Sequence, residues 1–260
     1  MHVLEHPLSS YAQKVKMMLR EKGLDFTVEI PAGLGNGDKG STLEQANVRV
    51  EVPTLIDGEM RVWDSSIILQ YLEDKFPTPA MLPADPAARA KARMIEDVCD
   101  TQYEAINWGM GEIRWFRRAE GELAATMMGN ATKQSLEIQA WLTQQLGSQP
   151  WFGGKSFGWA DLCVSPFVNR SAYYKVGLAS GSPLLQWLER VRQHPSVAKT
   201  FAEFDAAAAG MGEAYKRVTS GALRRQYRDH RLEWMIKSGG MPIIQDGLAK
   251  NNIRFNWPTD

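Results

Sequence analysis

The sequence predicts two units: an α/β unit, then an all-α unit that ends in a C-terminal extension. Three observations predict it. Within residues 1–77, short apolar runs alternate with stretches of helical periodicity. Pro77, Pro79, Pro83 and Pro86 then interrupt any regular element. Beyond them every apolar repeat has helical spacing, and no strand-like alternation of useful length appears. At 260 residues and 44% hydrophobic, the chain can bury one large core or two smaller ones.

His2-Val3-Leu4 reads as a short strand ending at His6-Pro7. From Ser10 to Lys22, Tyr11, Val15, Met18 and Leu19 repeat with helical spacing, and Gly23 supplies the stop. Asp25 to Ile30 alternates as a second strand, Pro31 to Gly40 is a Gly-rich loop, and Ser41 to Ala46 a short helix. Pro53–Ile56 and Met60–Trp63 flank Asp57-Gly58, a strong hairpin signal. A helix then opens at Asp64-Ser65 and runs to about Phe76. The order β-α-β-(α)-β-β-α in so few residues predicts a small thioredoxin-like sheet, a parallel pair extended by an antiparallel hairpin. After the prolines, Asp85 caps a helix with Pro86 in its first turn, running from Ala87 to about Trp115. Helical patterns follow over 121–146, 159–176, 184–193 and 196–209. The expected units are 1–77, 84–209, and an extension over 210–260. In the last of these, Tyr215 to Ile236 reads as one amphipathic, strongly charged helix, followed by a Gly- and Asn-rich remainder.

Thirty basic and thirty acidic residues cancel, which argues against nucleic acid or an anionic membrane as the partner. No apolar run is long enough to span a bilayer. The N-terminus carries no basic-plus-apolar leader. Cys99 and Cys163 lie far apart in apolar helical patterns, so they read as reduced core residues of a cytoplasmic protein, with no metal-binding spacing.

The most informative run is Glu51-Val52-Pro53-Thr54-Leu55, followed by Trp63-Asp64-Ser65. Proline at the start of a strand donates no ladder hydrogen bond, and X-Pro adopts the cis form cheaply. A cis Val52-Pro53 bond leaves the Val52 N–H and C=O free to pair with an extended peptide. Asp64-Ser65 places a helix N-terminus, an anion site, beside that edge. Together they suit a small peptide bearing a carboxylate.

In four places the chain resembles the glutathione S-transferases. Pro7-Leu8-Ser9-Ser10-Tyr11 is similar to the active-site helix start of serine-type members. Val52-Pro53 resembles their cis-proline, Asp64-Ser65 their acidic-Ser pair, and Phe157-Gly158-Trp159-Ala160-Asp161 the start of their buried sixth helix. The resemblance covers roughly residues 1–205, with partial likeness to omega-like and lignin aryl-ether-processing members. It departs at Ser10, where Pro is usual, at Gly158, where a capping Ser is usual, and at Glu51, where a basic or amide residue often stands.

The resemblance implies a transferase that uses glutathione as co-substrate, with no metal, and attacks a hydrophobic, aromatic electrophile, with ether cleavage as one option. A homodimer is implied by the family alone. Ser9 would stabilise the thiolate, with Ser10 and Tyr11 as alternatives. From the residues alone, capping of the helix is the plainer role for either serine. Val52 and Pro53 would hold the cysteinyl part, Asp64 and Ser65 the γ-glutamyl end, and Lys39 or Arg49 the glycine carboxylate. Tyr11, Tyr103, Ile106, Trp108 and Trp115 are expected to line the acceptor pocket, although aromatics at such spacing often serve only the core. Two rival readings remain: a glutathione lyase or thiol transferase, and a non-catalytic binding protein. The absence of a cysteine at position 9 counts against the first, and Glu51 and the long tail count for the second.

Overall fold

The computed structural model describes residues 1–32, 34, 41–223, 225, 227, 230–250 and 252–253. Its first part is a four-stranded mixed sheet of order β2-β1-β3-β4, formed by His2–Leu4, Thr27–Glu29, Thr54–Asp57 and Met60–Trp63 in chain order. β1 pairs parallel with β2 and antiparallel with β3, and β3 pairs antiparallel with β4. The second strand is shorter than the 25–30 alternation suggested, because all three of its residues are exposed at the sheet edge.

Helix α1, Ser10–Glu21, and α3, Ser65–Lys75, pack together against the sheet around Val3, Val15, Leu55, Ile68 and Leu72, all buried. The short α2, Thr42–Ala46, is capped by Ser41, whose hydroxyl accepts from the Glu44 N–H at 3.1 Å. Both Val52-Pro53 and Thr78-Pro79 are cis.

The second part is helical: α4 Pro86–Val98, α5 Glu104–Arg114, α6 Gly121–Leu146, α7 Trp159–Tyr173, α8 Pro183–Val191 and α9 Pro195–Ala209. Asp85 caps α4 through the Ala88 N–H at 2.8 Å, as its sequence signature predicts. The single helix expected from Ala87 to Trp115 is interrupted by one π-helical turn, Cys99–Tyr103. α7 lies at the centre and is buried on every side from Trp159 to Ser171. Asp161 ties its start down, accepting from the Phe152 N–H (2.9 Å), the Gly158 N–H (3.1 Å) and the Trp187 indole (2.8 Å).

The expected helix from Tyr215 to Ile236 is not continuous. α10, Ala214–Thr219, stops at Gly221, whose φ of 78° belongs to the left-handed region that ends helices. The Leu223 N–H then bonds back to the Arg217 carbonyl at 2.9 Å. α11, His230–Lys237, and α12, Met241–Ala249, follow. Phe255 and Trp257 lie outside the described residues. No helix among the described residues is long and apolar enough to cross a membrane.

Candidate functional site

The loop from β1 into α1 makes a tight turn, in which the Ser9 N–H donates to the His6 carbonyl at 2.8 Å. Ser9 is the N-cap of α1, and its hydroxyl oxygen accepts from the Ala12 N–H at 3.3 Å. Its own proton is left over from that bond, and the residue is half-buried at the surface. The two alternative hydroxyls are placed differently. Ser10 is fully buried, and its Oγ meets no partner. The Tyr11 O–H donates to the Asp100 carbonyl at 2.6 Å, at the π turn.

The approach to Pro53 is organised by Asn47, which is buried. Its Oδ1 accepts from the Arg49 N–H (2.8 Å), and its Nδ2 donates to the Glu51 carbonyl (2.9 Å) and Thr54 Oγ1 (3.1 Å). No backbone hydrogen bond from the described residues engages Val52. Glu51 Oε2 lies 3.3 Å from Arg49 Nε, so the acid of the wrong charge for a carboxylate ligand is paired with the base expected to hold one. Lys39 lies outside the described residues. Asp64 caps α3, accepting from the Ser66 N–H (3.0 Å) and the Ile67 N–H (3.3 Å) with φ at 71°. A non-glycine residue in that region is uncommon and tends to occur where function constrains the backbone. Ser65 is buried at the first position of the helix.

Beneath these residues lies a charge cluster that joins the two parts of the chain. Lys14 Nζ lies 2.9 Å from Glu96 and 2.5 Å from Asp100. The Ser66 hydroxyl donates to Glu96 at 2.7 Å, and the Trp159 indole N–H to the other Glu96 oxygen at 2.6 Å. Two carboxylates thus share one fully buried ammonium. Burial alone would lower the Lys14 pKa, but Asp100 and Glu96 raise it well above its usual range. Burial pushes Asp100 up to about 6, with Lys14 opposing and Glu96 assisting. Glu96 goes the other way, its burial outweighed by Lys14 and the bonds from Ser66 and Trp159.

The expected acceptor residues divide. Tyr103 is not a pocket residue: it is fully buried, and Gln139 Nε2 donates to its hydroxyl at 2.8 Å. Trp115 is also in the core, against Tyr173, Tyr174 and the Arg170 guanidinium, and Ile106 is buried. In each case the side chain lies on the buried face of its helix. Trp108 is half-exposed on α5, but the C-terminal extension covers it. Tyr227 meets its ring edge-on at 4.7 Å, and the Arg225 guanidinium lies over it at 5.3 Å. Glu112, buried one turn further along, receives Arg225 Nε at 2.6 Å and the Tyr227 O–H at 3.0 Å. Tyr215 on α10 stacks under Arg117. The tail is therefore strapped across the end of α5.

Sequence reasoning missed Asn47, Ser66, Lys14, Glu96, Asp100 and the tail contacts. One signal was available: Lys14 interrupts the stripe Tyr11, Val15, Met18 at a core position. Among the described residues no group of three or more His, Cys, Asp or Glu side chains could hold a metal ion.

Comparison with known proteins adds independent findings. The family model described as the glutathione S-transferase N-terminal domain matches residues 4–80, and that of the C-terminal domain matches residues 115–190. Glutathione S-transferase U28 of Arabidopsis thaliana is 32% identical over 208 residues, covering 77% of this chain and 88% of that protein. A rice glutathione S-transferase solved in complex with glutathione superposes with a TM-score of 0.64 at 29% identity, covering 80% of this chain and 96% of its own. A glutathione S-transferase of Methylobacterium radiotolerans, in complex with glutathione sulfonate, has a TM-score of 0.62 at 26% identity, covering 76% and 93%.

Proposed function

The chain belongs to the glutathione S-transferase family, and from that premise we propose that it ionises glutathione at Ser9 and transfers the sulfur to an aromatic electrophile. The observation that carries Ser9 is the state of the three hydroxyls. Ser10 is sealed in the core and the Tyr11 proton is given to Asp100, whereas Ser9 keeps a proton to donate and stands at the N-terminus of α1. A free thiol has a pKa of about 8.5, and lowering it by two units takes about 2.7 kcal/mol of preferential interaction with the anion. A hydroxyl donor plus the partial positive charge of the helix start is suited to supply it. The thiolate then attacks the electrophilic carbon. A C–S bond forms, the bond to the leaving group breaks, and that group departs with the electron pair. Ether cleavage is the case in which the leaving group is an alkoxide or phenolate.

The unpaired Val52 edge supports pairing with the cysteinyl backbone beside Pro53. Asp64 and Ser65 take the γ-glutamyl end. At the glycine end, Arg49 Nε pairs with Glu51 Oε2 at 3.3 Å, and the Nη groups of Arg49 are the donors we assign to the carboxylate, with Lys39 as the other candidate. Thiol exchange through a protein cysteine is disfavoured, because Cys99 and Cys163 are buried and burial raises both thiol pKa values. Two buried free cysteines also support a reducing, cytoplasmic setting. A homodimer is supported by exposed Ile67 and Met94, which flank the contact between Gln70 and Arg93 where α3 meets α4.

Titrating bound glutathione by thiolate absorbance tests the assignment. Ser9→Ala is expected to raise the thiol pKa by one to two units or about 1.4–2.7 kcal/mol. An unchanged value removes Ser9 from the role, and no binding at millimolar glutathione removes the enzymatic reading.

A further inference from the structure

A groove of about 490 Å³ lies between α7, the end of α8 and α9, with Asn169 and Tyr173 on one wall, Arg192 beside them, and Ala198, Ala202 and Asp205 opposite. The last three recur at the spacing of a single helix face. Thr200 and Glu203, which meet Arg20 of α1, belong to the other side of α9. The groove therefore opens on the face of α9 turned away from α1, whose N-terminus carries Ser9, and it takes no part in the chemistry above.

Arg192 is the C-cap of α8. The buried Asn169 Oδ1 accepts from Arg192 Nε at 3.1 Å and from Nη2 at 2.7 Å, a fork that fixes the plane of the guanidinium. Among the described residues, Arg192 Nη1, the Asn169 amide nitrogen and the Tyr173 hydroxyl make no hydrogen bond. The Tyr173 ring is held by Phe204, edge-on at 5.5 Å, and by Trp115 at 6.0 Å. Three donors are thus fixed along one wall. On the other, Asp205 forms no ion pair within 4 Å with Arg192 or any other described residue. Arg192 feels it nonetheless: burial lowers the guanidinium pKa, and Asp205, then Glu189, oppose that. A guanidinium and a carboxylate therefore face one groove without neutralising each other, above a floor of Phe201 and small alanines. A simple carboxylate would be repelled by Asp205, and a simple amine by Arg192. A ligand carrying both charges matches both walls.

We propose that this groove is a second binding site, for an α-amino acid with an aromatic side chain. Arg192, with Asn169 and Tyr173, takes the carboxylate, Asp205 takes the ammonium, and the ring lies on Phe201 and Ala202. The proposal is independent of the glutathione reading. Calorimetry compares L-phenylalanine with 3-phenylpropanoate, which lacks the ammonium, and with 2-phenylethylamine, which lacks the carboxylate. Millimolar glutathione is present throughout, so that the place of its own amino-acid end is filled. Phenylalanine is expected to bind at least about tenfold more tightly than either analogue, the scale of one charge-assisted hydrogen bond. Arg192→Gln should bring phenylalanine down to the affinity of 2-phenylethylamine, and Asp205→Asn to that of 3-phenylpropanoate. Both side chains are exposed, so the variants keep the fold, which circular dichroism checks. No binding of phenylalanine at millimolar concentration, equal affinity for all three probes, or an affinity that survives both substitutions overturns the site. Binding that appears only when glutathione is left out overturns it too, because the amino acid then occupies the place of the γ-glutamyl end. Each of these results leaves the assignment of Ser9 untouched.

Discussion

Lys14 keeps a full charge in a place no water reaches, and one of the ion clusters joining the two parts of the chain is built on it. Lys14→Met would leave Glu96 and Asp100 facing each other without a counterion. The expected loss is about 3–5 kcal/mol, measured by urea denaturation. The triple neutral variant Lys14→Met, Glu96→Gln, Asp100→Asn should recover a good part of it, because no uncompensated charge stays buried. The lysine was legible as a break in an apolar stripe. Its partners were not, because nothing local to residue 14 says which carboxylates, over eighty residues away, will meet it. The cis Val52-Pro53 bond and the Asp64 cap were legible for the opposite reason: each is set by the backbone or by a side chain within its own short segment. Tyr103 and Trp115 misled because an aromatic on a stripe looks the same whether it lines a pocket or fills a core.

His6 makes a pH-dependent contribution of definite sign. Its folded pKa, about 4, lies below the unfolded value of about 6.5. The unfolded chain therefore binds more protons between those limits, and the stability His6 supplies is complete above the upper limit and is lost as pH falls towards the lower one. Asp100 and Asp161, both raised to about 6 by burial, act in the reverse sense: their contribution favours folding below the unfolded carboxylate value and is lost as pH rises through about 6. Relative to wild type, His6→Gln should thus gain stability at about pH 4.5 compared with about pH 7.5, read from urea midpoints at the two values. A parallel shift at both values would show that the ring does not titrate in this window.

Among the elements, α7 depends most on a single side chain. Asp161 accepts from Phe152, Gly158 and Trp187, so it joins the preceding loop, the helix start and α8 at one point. Asp161→Ala would strand these buried donors at about 1–3 kcal/mol each, and the expected total loss of at least 3 kcal/mol is measurable by thermal or urea unfolding. Asp161→Asn should cost less, since an amide oxygen still accepts. Elements with local signals were readable to within a residue or two: Asp85-Pro86 opens α4, and Gly121 to Leu146 is one helix as its periodicity indicates. The tail was harder. Its polar and apolar alternation fits a helix through residue 236, and only the positive φ at Gly221 and the return of Leu223 to the core cut it short.

At the scale of the whole molecule, the two parts are joined by charge as much as by apolar packing. Lys14 and Ser66 meet Glu96 and Asp100, and Lys16 and Arg20 meet Glu203 on α9, while Lys22 fastens α3 and the linker through Glu73 and the Pro79 carbonyl. One apolar core runs from the sheet through α1 to α7 and α9 without a gap. The expected result is one cooperative unfolding transition, with far-ultraviolet and near-ultraviolet circular dichroism changing together in urea. Two separate transitions would mean that the ion clusters are weaker than the boundary they span.

The π turn at Cys99–Tyr103 acts as a vernier in the chain. It holds one residue more than the α-helical path would need, so every side chain after it is rotated by about 100° relative to an unbroken helix. That rotation presents Trp108 and Glu112 to the tail. Shortening the turn by one residue would leave both flanking helices intact yet turn the second past its partners. The length of this stretch is therefore fixed by angular phase rather than by the distance it covers.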